Sequence, residues 1–232
     1  LYYMIWCYLQ TDEYLKAEEV ATKAIALYPA YEVYLNLRGL SFYHREMWKE
    51  AQRDFEASLA LNGRNADSWN NLGLLWQDRG EVAKAHECFT TAIGLSPNGA
   101  LYVKNRAELL MREERAVEAQ PDIEKALQLA PGDFGAHLVA GQVQMGLGKS
   151  KEAIQEFNEA IRLNPRSGAA YWNLATAYAV KMDIQSVMFA IKNLERGMLV
   201  DPRDGRTRTM FEFSQWLKSS GFQLLMTPTD GG

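Results

Sequence analysis

The sequence predicts an all-α fold, a solenoid of antiparallel helix hairpins with a C-terminal capping helix. Three observations predict it. Helix-stopping residues recur at one interval: Pro29, Gly63, Pro97, Pro131 and Pro165 lie 34 residues apart, and Pro202 follows after 37. The same small-apolar tail stands before each stop, as in Ala24-Ile25-x-Leu27, Ser58-Leu59-x-Leu61, Ala92-Ile93-x-Leu95, Ala126-Leu127-x-Leu129 and Ala160-Ile161-x-Leu163. Each interval also carries two apolar stripes at helical spacing around a short polar turn, the pattern of an αα-hairpin. A single hairpin cannot bury its own apolar face, so such hairpins must stack.

Taken in order, residues 1–31 form a partial first hairpin. Its opening stretch, Leu1 to Leu9, is strongly apolar but too short to span a bilayer, and no basic stretch or small-residue cleavage site accompanies it. It reads as the remainder of a core helix, so the chain is expected to be a piece of a longer protein lacking its N-terminus. Complete hairpins are expected at 32–65, 66–99, 100–133 and 134–167, followed by 168–204 with three extra residues. Proline after the second helix ends it, and Gly63 does so as a residue able to take a left-handed cap. Pro121 falls inside the second helix of 100–133 and should kink it or delay its start. The insertion in 168–204 should start its second helix one turn early, near Asp183 as N-cap. Residues 205–221 hold the capping helix, about Thr207 to Ser219. Its Met210, Phe211, Phe213 and Leu217 would cover the last hairpin while Arg208, Glu212, Gln215 and Lys218 face water. The tail 222–232 begins with apolar Phe222 to Met226 and packs on the cap or docks elsewhere.

The clearest repeat reads Trp69-x2-Leu72-Gly73-x2-Trp76, then Ala85-x3-Phe89-x2-Ala92, then Pro97. Others follow with drift: Tyr171-x2-Leu174-Ala175-x2-Tyr178, and Ala140-Gly141 with Ala153-x3-Phe157-x2-Ala160. This resembles the tetratricopeptide repeat over roughly residues 1–204. The resemblance implies a right-handed superhelix whose first helices line a concave groove. Small residues such as Gly73 and Ala85 let paired helices approach, while Trp69 and Phe89 fill the space between hairpins. Two repeats depart together: Arg38 and Arg106 replace the usual Leu, and Asp54 and Asp122 stand sixteen residues later. That spacing puts one member on each helix, which predicts structural ion pairs Arg38–Asp54 and Arg106–Asp122 inside their hairpins.

Composition excludes several functions. At 47% hydrophobic and 23% charged residues the chain is an ordinary globular protein, and a net charge of −4 argues against a nucleic-acid surface. Two distant cysteines, Cys7 and Cys88, suit a reducing compartment and a cytoplasmic location, and neither they nor His44, His86 and His137 show metal-ligand spacing. No cofactor or metal is expected. Gly146-Leu147-Gly148-Lys149-Ser150 looks like the end of a phosphate-binding loop, but Val143 stands where the leading glycine belongs and the segment lies on a hairpin turn. No catalytic residues are expected.

Function should therefore lie in the groove, as protein binding. The resemblance assigns to it Asn36, Leu37 and Leu40; Asn70, Asn71 and Leu74; Lys104, Asn105 and Arg112; Leu138; and Trp172 and Asn173. Asn71, Asn105 and Asn173 share one repeat position, interrupted by Val139. The row resembles the asparagine ladder of O-linked N-acetylglucosamine transferases, which would pair with a peptide backbone; the other reading is that these asparagines make local contacts. The groove lacks the carboxylate clamp of co-chaperones that hold the C-termini of Hsp70 and Hsp90, because Glu108 and Val139 stand where Asn is needed. The expected role is a non-enzymatic scaffold or adaptor holding a peptide or helix of another protein, without membrane insertion. The alternatives are a substrate-presenting module of a larger glycosyltransferase-like enzyme, or a structural subunit that packs on itself or on a larger assembly.

Overall fold

A computed structural model describes residues 1–180 and 184–201, together with Arg208 and Glu212. Among the described residues there are twelve long helices and no strand: α1 (Tyr2–Gln10), α2 (Tyr14–Leu27), α3 (Glu32–His44), α4 (Trp48–Leu61), α5 (Ala66–Asp78), α6 (Val82–Leu95), α7 (Ala100–Arg112), α8 (Ala116–Leu129), α9 (Phe134–Gly146), α10 (Ser150–Leu163), α11 (Gly168–Ala179) and α12 (Ile184–Val200). The all-α, tetratricopeptide-like fold class is the one the repeat period predicts. Asp183 and the capping segment 205–221, apart from Arg208 and Glu212, lie outside the described residues, as does the tail 222–232. The latter two residues are helical, exposed and paired with each other at 3.2 Å.

The chain divides into two compact units, residues 1–109 and 110–232. In the first, α3 pairs with α4 and α5 with α6, while α2 also packs on α3 and α4 on α5. In the second, α9 pairs with α10 and α11 with α12, and α8 and α10 pack on the first helices that follow them. Thus α2, α4 and α10 are each shared between their own hairpin and the next.

Glycine and phenylalanine set the distance inside a hairpin. Phe55, Phe89 and Phe157 are fully buried, and each ring lies against the glycine sixteen residues earlier. A methyl group added to Gly39 would come within 2.6 Å of Phe55 Cε1, and one on Gly73 within 2.7 Å of Phe89 Cε1. Gly141 is equally filled by Phe157. In the first hairpin the sizes are exchanged, with Ile5 and Ala21 both fully covered in one core cluster.

Helices α1, α3, α5, α7 and α9 end by one device. The residue after the C-cap turns left-handed, at Gly80 (φ 75°) and Gly148 (φ 74°), and at Asp12, Glu46 and Glu114 near 59°. The next amide then reaches back into the last turn, as Glu81 N–H does to Trp76 O at 2.8 Å and Lys149 N–H to Gln144 O at 2.8 Å. The glycine-rich segment 146–150 is therefore a hairpin turn. The following first helices are capped by side chains: Asn65 accepts from Ser68 N–H, Asp133 from Ala136 N–H and Ser167 from Ala170 N–H.

The delayed start expected at Pro121 is not found. The proline lies inside α8, yet α8 begins at Ala116, one repeat after the start of α6 at Val82, so the start is not delayed. The proline withholds the amide that would bond Val117 C=O. Val117 is 75% exposed and Pro121 is exposed, so water can take the free carbonyl. The helix survives at a cost. Pro121→Ala should raise the unfolding free energy by about 1–3 kcal/mol, read from the midpoint of urea denaturation at constant m-value.

Candidate functional site

First helices adjoin one another within each unit: α1 touches α3 and α3 touches α5, and α9 touches α11. Equivalent repeat positions therefore recur along one surface. In residues 1–109 that surface is floored by four carboxamides joined head to tail. Asn105 Nδ2 donates to Asn70 Oδ1 at 2.8 Å, Asn70 Nδ2 to Asn71 Oδ1 at 3.3 Å, and Asn71 Nδ2 to Asn36 Oδ1 at 2.9 Å. All four are buried, between 1% and 7% exposed. The relay links α7, α5 and α3, because asparagines 35 residues apart face each other across neighbouring helices.

Other residues assigned to the groove divide between surface and core. Leu40 and Leu74 are half-buried at the edges of core clusters, and Lys104 is half-buried. Leu37 belongs to the core instead: it packs with Ile5, Leu9, Ala17, Ala21 and Ala24, since its helix face meets the preceding hairpin. In residues 110–232, Arg112 is exposed, Leu138 and Trp172 are half-buried against their own clusters, and Asn173 is buried. Asn173 C=O accepts from the Thr176 hydroxyl at 2.7 Å.

Arg38 and Asp54 meet inside the α3–α4 hairpin. The guanidinium grips the carboxylate with two parallel bonds, Nε to Oδ2 at 2.7 Å and Nη2 to Oδ1 at 2.8 Å. This partner pushes the Arg38 pKa still higher. Arg106 and Asp122 fall in different units; Arg106 bonds the Thr90 hydroxyl at 3.2 Å and Asp122 is buried.

Several contacts have no signature in a 34-residue alignment. Tyr43 donates its hydroxyl to Asp78, and Tyr102 donates to Asp67 at 2.6 Å. Burial, then this bond, pushes the Tyr102 hydroxyl well above its usual range. His137 sits between Glu156 Oε2 at 2.7 Å and Pro131 O at 3.0 Å. His44 stacks on Tyr14 with ring centroids 4.8 Å apart, and burial lowers its pKa.

None of these arrangements makes a reactive centre. Burial pushes the Cys88 thiol up to about 12, which keeps it protonated and a poor nucleophile. A cavity beside the α1–α2 turn is lined by Asp12, Glu13, Tyr14, Leu15, Lys16 and Arg45. Its polar groups serve one another: Lys16 pairs with Glu13, Tyr14 with Asp12, and Arg45 with Glu18. Among the described residues no three His, Cys, Asp or Glu side chains gather as metal ligands, and no helix is long and apolar enough to cross a membrane.

Family profiles described as Tetratricopeptide repeat match residues 36–85, 75–134 and 110–178. The chain belongs to the tetratricopeptide repeat family. Repeats of this family typically mediate protein–protein interaction and are generally non-catalytic. Human Tetratricopeptide repeat protein 6 is 28% identical over 177 residues, which cover 74% of this chain and 34% of that protein. The chain thus spans about a third of the length of this relative. Among solved structures, the Cut9–Hcn1 hetero-tetramer of the APC/C includes a similar chain, with a TM-score of 0.80 and 19% identity over 92% of this chain and 42% of that one. YrrB, a tetratricopeptide repeat protein with an unusual peptide-binding site, is similar with a TM-score of 0.61 and 18% identity over 84% and 99% of the two chains.

Proposed function

We propose that this tetratricopeptide repeat chain is a non-enzymatic scaffold or adaptor that holds a segment of a partner protein against its first helices. One observation carries the reading. Large apolar side chains recur on the surface those helices share and remain partly uncovered: Trp6, Leu40 and Leu74 in one unit, Leu138 and Trp172 in the other. Uncovered apolar anchors ringed by polar groups suit a protein partner. The similar fold of YrrB, which has a peptide-binding site, supports the same use of the surface. The absence of a full carboxylate clamp directs the reading away from the C-termini of Hsp70 and Hsp90.

The asparagines enter as structure first. Their carboxamides bond one another, so Asn71→Ala would lower stability as well as any binding, and it cannot serve as a clean groove variant. A photo-crosslinking benzophenone side chain tests the reading without cutting the relay. Placed at half-buried Leu74, it should form adducts with a partner in native lysate; placed at exposed Glu87 on α6, it should not. Equal adducts from both positions would refute the groove assignment.

A further inference from the structure

The residue that opens a first helix can satisfy one of its free amides if its side chain is small and polar. Asn65, Asp133 and Ser167 do this for α5, α9 and α11. The turn from α2 to α3 is built differently. Tyr31 is the N-cap of α3 and makes no capping bond, and Tyr28 and Tyr34 stand three residues to either side. One repeat later the same three positions hold Asn62, Asn65 and Ser68, and three repeats later Ala130, Asp133 and Ala136. A helix end that gives up its cap for uncovered aromatic rings points to a use for those rings.

The three rings gather into one cluster. Their centroids lie 6.4 Å apart for Tyr28 and Tyr31, 6.1 Å for Tyr28 and Tyr34, and 6.0 Å for Tyr31 and Tyr34. Tyr34 is tilted by 35° to Tyr28 and by 33° to Tyr31, and those two are inclined 66° to each other, so the planes fan open instead of stacking. Tyr34 is half-buried against the core around Ile5 and Ala21, which anchors the cluster, while Tyr28 is 51% and Tyr31 62% exposed. A cation over the centre of such a triangle lies about 5 Å from every centroid, inside the ~6 Å reach of a cation–π contact.

Charge points the same way. Glu32 stands in the first turn of α3, between Tyr31 and Tyr34 in the chain. Its carboxylate accepts from the Asn62 carboxamide at 2.8 Å, a neutral donor. The carboxylate also offsets the partial positive charge at the start of α3, which would otherwise repel a cation. Methylation strips an ammonium of the N–H groups that hold water, so a methylated ammonium moves onto aromatic faces more readily than a bare one. A choline headgroup carries the same trimethylammonium, but its phosphate would meet the charge of Glu32.

We propose that Tyr28, Tyr31 and Tyr34 form a cage for a methylated lysine side chain of a partner protein, with Glu32 supplying the opposite charge. The cage uses none of the apolar anchors of the groove and does not depend on that reading.

Titrating the full chain by NMR, with its tyrosine rings isotope-labelled, tests the cage. The probes are three short Gly-Ser peptides that carry trimethyllysine, plain lysine, or the neutral isostere with a tert-butyl group in place of the trimethylammonium. Saturable shifts of the Tyr28, Tyr31 and Tyr34 resonances are expected with trimethyllysine, at an affinity about fivefold or more above the other two. Tyr31→Ala, a change at an exposed side chain, should abolish binding while leaving the thermal melt in place. Tyr31→Phe should retain binding, and Glu32→Gln should weaken it roughly threefold. Equal affinity for the isostere would overturn the cation, and equal affinity for plain lysine would overturn the methylated ligand. Binding to phosphatidylcholine vesicles without a response to the trimethyllysine peptide would overturn the protein partner in favour of a lipid headgroup. Binding that ignores Tyr31→Ala, or no saturable shift up to about 10 mM peptide, would overturn the cage itself.

Discussion

Phe89→Ala should destabilise the chain by about 3–5 kcal/mol, the largest loss expected from any single truncation in the third hairpin. The ring is fully buried and fills the space over Gly73, which has no side chain to move into the void. The converse change should also be costly. Gly73→Ala would place its methyl 2.7 Å from Phe89 Cε1, and a phenyl ring held by the rest of the core cannot yield cheaply, so about 1–3 kcal/mol is expected. The two losses should not add. In the double variant the new methyl occupies part of the space the ring vacated. A double-mutant cycle by urea denaturation checks this, and additive losses would show that the two residues do not share a site.

The sequence reading set Phe89 between hairpins, and the structure lays it on Gly73 within its own hairpin; the pairing nonetheless has a repeating signature. Gly39, Gly73 and Gly141 stand sixteen residues before Phe55, Phe89 and Phe157, and sixteen residues carry the chain from one helix of a hairpin to the same level of the other. Arg38 and Asp54 share that spacing and meet as the spacing predicts. The asparagines were harder to read. Aligned at 34 residues, Asn71, Asn105 and Asn173 look like a row facing a ligand. The bonds that form join residues 35 apart, Asn71 to Asn36 and Asn105 to Asn70, since neighbouring first helices offer each other adjacent positions. A search at 35 would have found both pairs. No single period finds His137 between Glu156 and Pro131, because its partners come from the facing helix and the preceding turn. The delayed start expected at Pro121 failed for a different reason. The proline's cost depends on whether Val117 C=O can reach water, and exposure at that position is a property of the packed hairpin.

Asp54→Ala should cost about 3–5 kcal/mol, since removing one partner strands the guanidinium of Arg38 against a wall it cannot leave freely. The carboxylate side chain is 4% exposed and the arginine side chain 22%, so the arginine retains some contact with water and the loss should fall toward the lower end. Arg38→Leu should be worse placed, because it leaves the more deeply buried charge alone. The pair itself is not what holds the hairpin together. The third hairpin has Leu72 and Cys88 at the same two positions, both buried and apolar, and packs α5 on α6 as closely as α3 packs on α4. Arg38→Leu combined with Asp54→Cys copies that solution into the second hairpin. The double variant should regain most of either single loss, and its stability should equal or exceed that of the parent. Urea melts of the four proteins give the coupling free energy directly. A double variant as weak as Asp54→Ala would mean that the paired charges, rather than the space they fill, set the packing of α3 on α4.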